Sequence, residues 1–364
     1  VNFKVLLRLT IVLGMLATMG IGMIQAQEPE SVCLVTDLGK VNDGTFNQFA
    51  FEGMTRAAEE FDLATDFIET QAQTDYAANI NTCVEEGFEI IITVGFLLAD
   101  DTKAAAIANP DKWFIGVDAF FEDEGIANLV GLQFREDQAG FLAGAMAALM
   151  SETGTVAGVY GIDIPPVVRF RNGFEQGAMY VNPDIEALGV YIPDFQAPDL
   201  GSAAAEQFIG EGADVIFGAG GPTGSGGILQ AAQQDVMVIG VDQDEYFTTF
   251  GEGETPGSEF LITSAIKRVD NGVYDMIEAA IEGEFPGPIY VLSVENEGIG
   301  FAEAHDADVP EEVTEEVTAI LEGLGTEEIE TGVDFVTGQL IDDMEDMGEE
   351  DMEEEPAATE EADD

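Results

Sequence analysis

Positive charge is what this chain has least of. Eleven Lys and Arg stand against 73 Asp and Glu, a formal net charge of −62, and no basic residue follows Arg268. A phosphate backbone needs a basic footprint, so nucleic acid is excluded as a partner. A surface this acidic repels itself at low ionic strength and is screened by salt. The acidity reads as adaptation to a saline solvent, not as a binding motif. Histidine is reduced to one residue, His305 in EAHDAD, far along the chain from the polar strand ends described below. With no second histidine and no GxSxG around Ser225, no catalytic triad emerges. Acid pairs for glycoside hydrolysis are numerically available, but no two carboxylates are marked as partners. Cysteine is limited to Cys33 and Cys83, too few for a zinc site and wrongly spaced for CxxC. The pair is either a disulfide of an exported protein or two small buried thiols. No cofactor and no metal is expected.

An uncharged apolar run, Leu9–Ile24, follows Lys4 and Arg8 and leads to Ile24-Gln25-Ala26. It is short for a bilayer span. Residues 1–26 are therefore expected to be an export signal removed by cleavage, with a retained anchor as the alternative. No cysteine stands at the cleavage point to carry a lipid.

What is present is a repeated alternation of short apolar runs and helical patterns. Strands are expected at 32–37, 65–70, 89–95, 113–118 and 128–134, alternating with helices at 47–61, 74–86 and 97–108. A second series runs from helix 136–150 to a strand at 236–242, and the run 259–266 leads into helix 267–282. This spacing predicts an α/β fold of two similar Rossmann-like lobes with parallel sheets. The N-lobe is expected over 30–132, completed by 265–286, and the C-lobe over 133–262, completed by 289–338. The acid-rich end, 340–364, is expected to be disordered. Chain crossings near 132–135 and 261–267 would make a hinge, and a cleft between hinged lobes is a natural small-molecule site.

Candidate site residues gather where the strands end, because ligands of open α/β sheets bind outside the carboxyl ends. The first strand ends at Asp37 and runs into a polar loop holding Asn42, Asp43, Phe46 and Asn47. The loop carries no phosphate-cradling glycine pattern. It offers amides, carboxylates and a ring, which suit an uncharged polar ligand with a flat part. Two matching words, IGVD at 115–118 and at 239–242, end on Asp118 and Asp242. A lone strand-end aspartate is readily a helix cap, whereas a matched pair points to acceptors for a diol or ring N–H groups. Lys267 lies at a crossing, placed to donate to a ligand while neutralising Asp242, or to make a structural ion pair. Arg169 and Arg171 either line the cleft or tether the lobes. Phe46 and Phe195 sit in polar surroundings and would sandwich a planar base. In GAGGPTGSGG, 218–227, Gly220 and Gly221 allow close backbone approach to a ligand or relieve a tight turn.

Several words then match one family in order. They include TDLGKVNDGTFNQFAFEG from 36, VGLQFREDQAGFLAGAMAALM from 130, ADVIFGAGGPTGSGGI from 213, VIGVDQD from 238 and ITSAIKRVD from 262. Across roughly residues 31–300 the chain resembles the basic membrane protein family of exported solute-binding proteins. Characterised members of that family bind purine nucleosides for ABC import; the alternatives are another small solute, such as a sugar or a thiamine-like compound, and, from a different class, an exported nucleoside hydrolase. The resemblance implies a periplasmic-binding-protein type I fold with three crossings, binding without turnover, and a membrane permease as partner. The family is often lipid-anchored, and the missing cysteine departs from that pattern, so a freely soluble monomer, periplasmic or at the outer face of the membrane, is expected, or one retained by an uncleaved leader. At matching positions it implies Phe46 and Phe195 as the base-stacking pair and Asp118 and Asp242 as acceptors, with Lys267 as donor at the ribose. Asn42, Asp43, Asn47 and the Gly220-Gly221 backbone are implied as further contacts.

Overall fold

The computed structural model describes residues 28–342. The expected leader, 1–26, and the acidic segment beyond 342 lie outside the described residues. Twelve strands are present among the described residues: β1 (Ser31–Val35), β2 (Ala64–Ile68), β3 (Ile90–Val94), β4 (Trp113–Val117), β5 (Leu129–Phe134), β6 (Thr155–Tyr160), β7 (Glu186–Tyr191), β8 (Val215–Ala219), β9 (Met237–Asp242), β10 (Leu261–Lys267), β11 (Ile289–Leu292) and β12 (Ile299–Phe301). The α-helices among them are α1 (Phe46–Phe61), α2 (Tyr76–Glu85), α3 (Ala99–Ala108), α4 (Glu136–Met150), α5 (Pro165–Val181), α6 (Pro198–Glu211), α7 (Gly221–Ala232), α8 (Val269–Glu282) and α9 (Glu311–Gly325).

The strands form two six-stranded sheets, ordered β11-β5-β4-β3-β1-β2 and β12-β10-β9-β8-β6-β7. Every pair in the first is parallel; the second has one antiparallel strand, β12, on its edge. Central strands such as IIITV (β3) and VIFGA (β8) are buried along their whole length, as strands covered by helices on both faces must be. The chain passes between lobes three times: after β5, after β10 and after β11.

Two boundaries differ from the sequence reading. β11 does not belong to the C-lobe, since Ile289–Leu292 pairs with Gly131–Phe134 at the edge of the N-lobe sheet. The reason is local: α8 packs on α1 of the N-lobe, so the chain leaving α8 meets the free edge of β5 first. The chain returns to the C-lobe only at β12, which pairs with β10. All of β10 lies in the C-lobe sheet, so the second crossing follows Lys267 and not Ile262.

Two devices stiffen the lobes. Cys33 of β1 and Cys83 of α2 form a disulfide, with Cα atoms 5.9 Å apart, pinning α2 to the N-lobe sheet. In the C-lobe, Gly140 and Gly144 of α4 face Gly173 and Gly177 of α5. A Cβ at any of the four would run into a main-chain carbonyl of the other helix, those of Phe170 and Phe174 or of Asp137 and Phe141. This close contact places Glu136, at the start of α4, beside Arg169 on α5. The segment after α9 straps the hinge: Thr331 donates to Asp137, Gln133 to the Phe335 carbonyl and Arg169 to the Val336 carbonyl.

Candidate functional site

A cleft of about 580 Å³ opens where the carboxyl ends of the two sheets face each other. Asp37, Asp43, Phe46, Asn47, Asp118, Phe195, Gly220, Gly221, Asp242 and Lys267 all line it. Asn42 does not. It is exposed in the turn before α1, where its neighbour Asp43 turns inward to cap the helix.

On the N-lobe wall, Asp43 is saturated with local donors. Its Oδ1 accepts from the N–H groups of Thr45 and Gln48, and its Oδ2 from the main-chain and side-chain N–H of Asn47. These bonds satisfy the free N–H groups at the start of α1, so they fix the direction of Phe46 and Asn47. Asn47 also donates to Asp37 Oδ1 at 3.0 Å. Gly95 (φ +118°) stands beside Asp37, and a Cβ there would lie 3.0 Å from Asp37 Cβ. Burial pushes the Asp37 carboxyl up to about 7, against the lowering effect of Asn47.

The floor is built symmetrically. Asp118 follows β4 and Asp242 ends β9, with φ of 60° and 67°. Both sit in the left-handed region, which a few residue types tolerate and Asp is among them. Each turn aims a carboxylate into the cleft from its own lobe. Burial raises Asp118 to about 6 despite Lys267, and Asp242 to about 8.

Lys267 is 1% exposed and lies between Asp118, at 2.7 Å, and Glu136, at 2.8 Å. Its ammonium also faces the rings of Phe46 and Phe134, 4.9 and 4.8 Å from their centroids. No hydrogen bond joins it to Asp242, the partner expected from sequence; Lys267 bonds to Asp118, across the hinge. Burial would lower its pKa, but Asp118, Glu136 and Asp242 together hold it raised. Arg169 lies beneath, bonded to Glu136 of α4 and to the Val336 carbonyl, and does not line the cleft. Arg171 pairs with Glu175 and covers the Tyr191 ring, away from the site.

On the C-lobe wall the ring of Phe195 covers Gly161, where a side chain would collide with it. The glycine cluster is not a loop after Gly220: Gly221 opens α7, with Pro222 in the first turn, where a missing N–H costs nothing. Gln243 and Thr248 reach across to the N-lobe, donating to the carbonyls of Thr45 (3.2 Å) and Gly44 (2.8 Å). Glu245, between them, is fully buried and accepts from Ser225, Thr249 and the Val241 N–H. Burial pushes its carboxyl up to about 7. A loop keyed to a buried carboxylate thus bridges the two lobes beside the cleft.

Sequence reasoning missed Gln196, Phe170, Ile164, Pro166 and Val167, which also line the cleft. The apolar ones carry no signal separating them from core. Gln196 stands next to Phe195, and its neighbour was the one available pointer.

The ABC transporter substrate-binding protein PnrA-like family model matches residues 30–331. The chain belongs to that family. It is similar to a CD4+ T-cell-stimulating antigen of Listeria monocytogenes, 32% identical over 314 residues, 80% of this chain and 86% of that protein. It is also similar to the ABC transporter nucleoside-binding protein BmpA of Lactococcus lactis, 30% identical over 305 residues, 80% of this chain and 86% of that one. A solute-binding protein of Aeropyrum pernix superposes with a TM-score of 0.74 at 26% identity, covering 88% of this chain and 97% of its own. The PnrA-like chain is therefore an ABC-importer substrate-binding protein, with the two-lobed type I fold of periplasmic binding proteins. Family and fold are those of transport proteins that hold a solute, and an ABC permease is the implied partner. No helix among the described residues is long and apolar enough to cross a membrane.

Proposed function

We propose that the cleft binds a purine nucleoside and delivers it unaltered to the permease, outside the cytoplasmic membrane and as a monomer. The observation that carries this reading is the pairing of one ring from each lobe, Phe46 and Phe195, above a floor of Asp118, Asp242 and Lys267. Two rings on opposite walls suit a planar base, and a stacked base contributes about 1–3 kcal/mol. Paired carboxylates with one ammonium suit a ribose diol, whose hydroxyls both donate and accept. The Gly220-Gly221 backbone provides close approach on the C-lobe side. Asp43 supports the site through α1, and Asn42 has no part in it. The name of the Lactococcus lactis relative supports a nucleoside as the ligand class.

Calorimetry against guanosine, inosine, adenosine, ribose and free purine base tests the reading, with chromatography of the mixture after overnight incubation. Nucleosides are expected to bind and be recovered intact. Ribose binding as tightly as a nucleoside would remove the base-stacking argument, and released base would mean hydrolysis.

A further inference from the structure

The loop that bridges the lobes, 243–250, is framed by its own lobe before it reaches the other. Its centre is Glu245, which is fully buried and does not line the cleft. The carboxylate gathers three parts of the C-lobe. Its Oε1 accepts from the Val241 N–H of β9 at 3.1 Å, and its Oε2 from Ser225 of α7 at 2.9 Å and from Thr249 of the loop itself. The Glu245 N–H donates to Ser264 of β10, and its carbonyl accepts from the Phe250 N–H, which folds the loop back on itself. A second brace lies outside. His305 stacks on Tyr246 with 4.1 Å between ring centroids, and its Nε2 is 2.6 Å from Asp244 Oδ2. All three donors to the Glu245 carboxylate are neutral, and hydrogen bonds to an ionised acceptor are the stronger kind.

This frame carries two side chains to the other lobe. Gln243 and Thr248 stand on either side of Glu245 in the loop and donate to the carbonyls of Thr45 and Gly44, at 3.2 and 2.8 Å. Gly44 and Thr45 lead directly into Phe46, the N-lobe ring of the cleft. Thr249, which Glu245 holds, is the chain neighbour of Thr248, so the carboxylate sets one of the two reaches through a single residue. We propose that Glu245 is a positioning residue for ligand retention: it holds the loop as a preformed latch, so that Gln243 and Thr248 close on the N-lobe beside Phe46 and slow departure of the solute. A carboxylate that only filled the C-lobe interior would leave the N-lobe side of this contact untouched. Retention is measured with guanosine, and so rests on the nucleoside reading above.

The test is stopped-flow release of guanosine from the full chain and from Glu245→Ala, Glu245→Gln and the double variant Glu245→Ala with Thr248→Val. Hydrogen-exchange mass spectrometry of residues 43–48 accompanies it in the ligand-free state. Glu245→Ala is expected to quicken release about 5- to 150-fold, as for two lost neutral hydrogen bonds, with little change in association. Adding Thr248→Val should then change release by less than about 1.5-fold, because its contact is already lost. Glu245→Gln keeps the shape; its amide can accept from Val241 and donate to both hydroxyls, so it should recover most of the loss. Exchange at 43–48, in the other lobe, should rise in Glu245→Ala and fall back in Glu245→Gln. Where Glu245→Ala does not fold, Thr249→Val removes the loop's own bond to the carboxylate and should show the same faster release and exchange. Unchanged release, effects of Glu245→Ala and Thr248→Val that multiply, or Glu245→Gln releasing as fast as Glu245→Ala overturns the positioning role and leaves the nucleoside reading intact. If guanosine does not bind the unaltered protein, the nucleoside reading fails and exchange at 43–48 decides the latch alone: a rise upholds it and no change overturns it.

Discussion

Glu136 and Asp242 are both buried carboxylates beside the hinge, yet they are opposites. Glu136 is held between Arg169 and Lys267, whose charges overcome its burial and hold its carboxyl below the ordinary glutamate range. Asp242 has the same burial and no ion-pair contact, and rises to about 8. One carboxylate is satisfied by the protein itself, the other is left for something else to satisfy. Asp37 and Glu245 extend the contrast, one facing the cleft and one bonded by the hydroxyls of Ser225 on α7 and Thr249 in the latch loop. The comparison teaches where the fold spends its few cations. Lys267, Arg169 and Arg135 are concentrated on the crossings, and the cleft walls are left with surplus acid.

The largest way to break this comparison is to remove the satisfied member. Glu136→Gln leaves Arg169 buried without its counter-charge and Lys267 with Asp118 alone, a loss of about 3–5 kcal/mol when one partner of a buried pair is deleted. Urea unfolding in molar KCl measures it. A loss below 1 kcal/mol would mean the hinge does not depend on this cluster.

A titration sharpens the contrast without mutation. Asp37, Asp118, Asp242 and Glu245 have folded pKa values of about 7, 6, 8 and 7, above their unfolded values. Between about pH 4 and 8 the folded protein therefore binds more protons than the unfolded chain, and stability falls as pH rises. Glu136 and Asp270, lowered by their basic partners, work the other way, losing their contribution as pH falls below the ordinary carboxylate range. The ligand-free protein should be most stable near pH 4 and lose several kcal/mol by pH 8 in constant molar salt. A flat profile would remove the surplus-acid argument.

The smallest expected effect belongs to the latch. Thr248→Val deletes one neutral hydrogen bond to Gly44, and should weaken ligand binding roughly 2- to 12-fold, mainly through faster release. Stopped-flow dissociation kinetics read this directly. An unchanged release rate would show that the Thr248 contact plays no part in retaining the ligand.

The fold was largely legible because parallel sheets write themselves locally, as apolar runs ending in turns. Most of the cleft was legible because matched strand ends, IGVD twice, bring equivalent positions of two lobes together. What stayed hidden was set by distance along the chain. Nothing in IYVL at 289–292 says which sheet edge will be free to take it. The Lys267–Asp118 bond spans 149 residues, whereas Asp242, near in sequence, was the natural guess. Asn42 and Asp43 look alike in sequence, and only the capping geometry of α1 sends one inward and the other out. The pairing of Cys33 with Cys83 needed the packing of α2 on β1 to be decided.

The contrast between a satisfied and an unsatisfied acid is tested most directly by Asp242→Asn, measured for affinity and stability in the same preparation at pH 8. Removing a strained charge should raise the stability of the ligand-free protein by about 1–3 kcal/mol, part of what a shift from 3.8 to about 8 represents. Losing a charged acceptor should weaken guanosine binding about 10- to 150-fold. Affinity down with stability up is the predicted result; affinity unchanged, or stability falling along with it, would contradict the account.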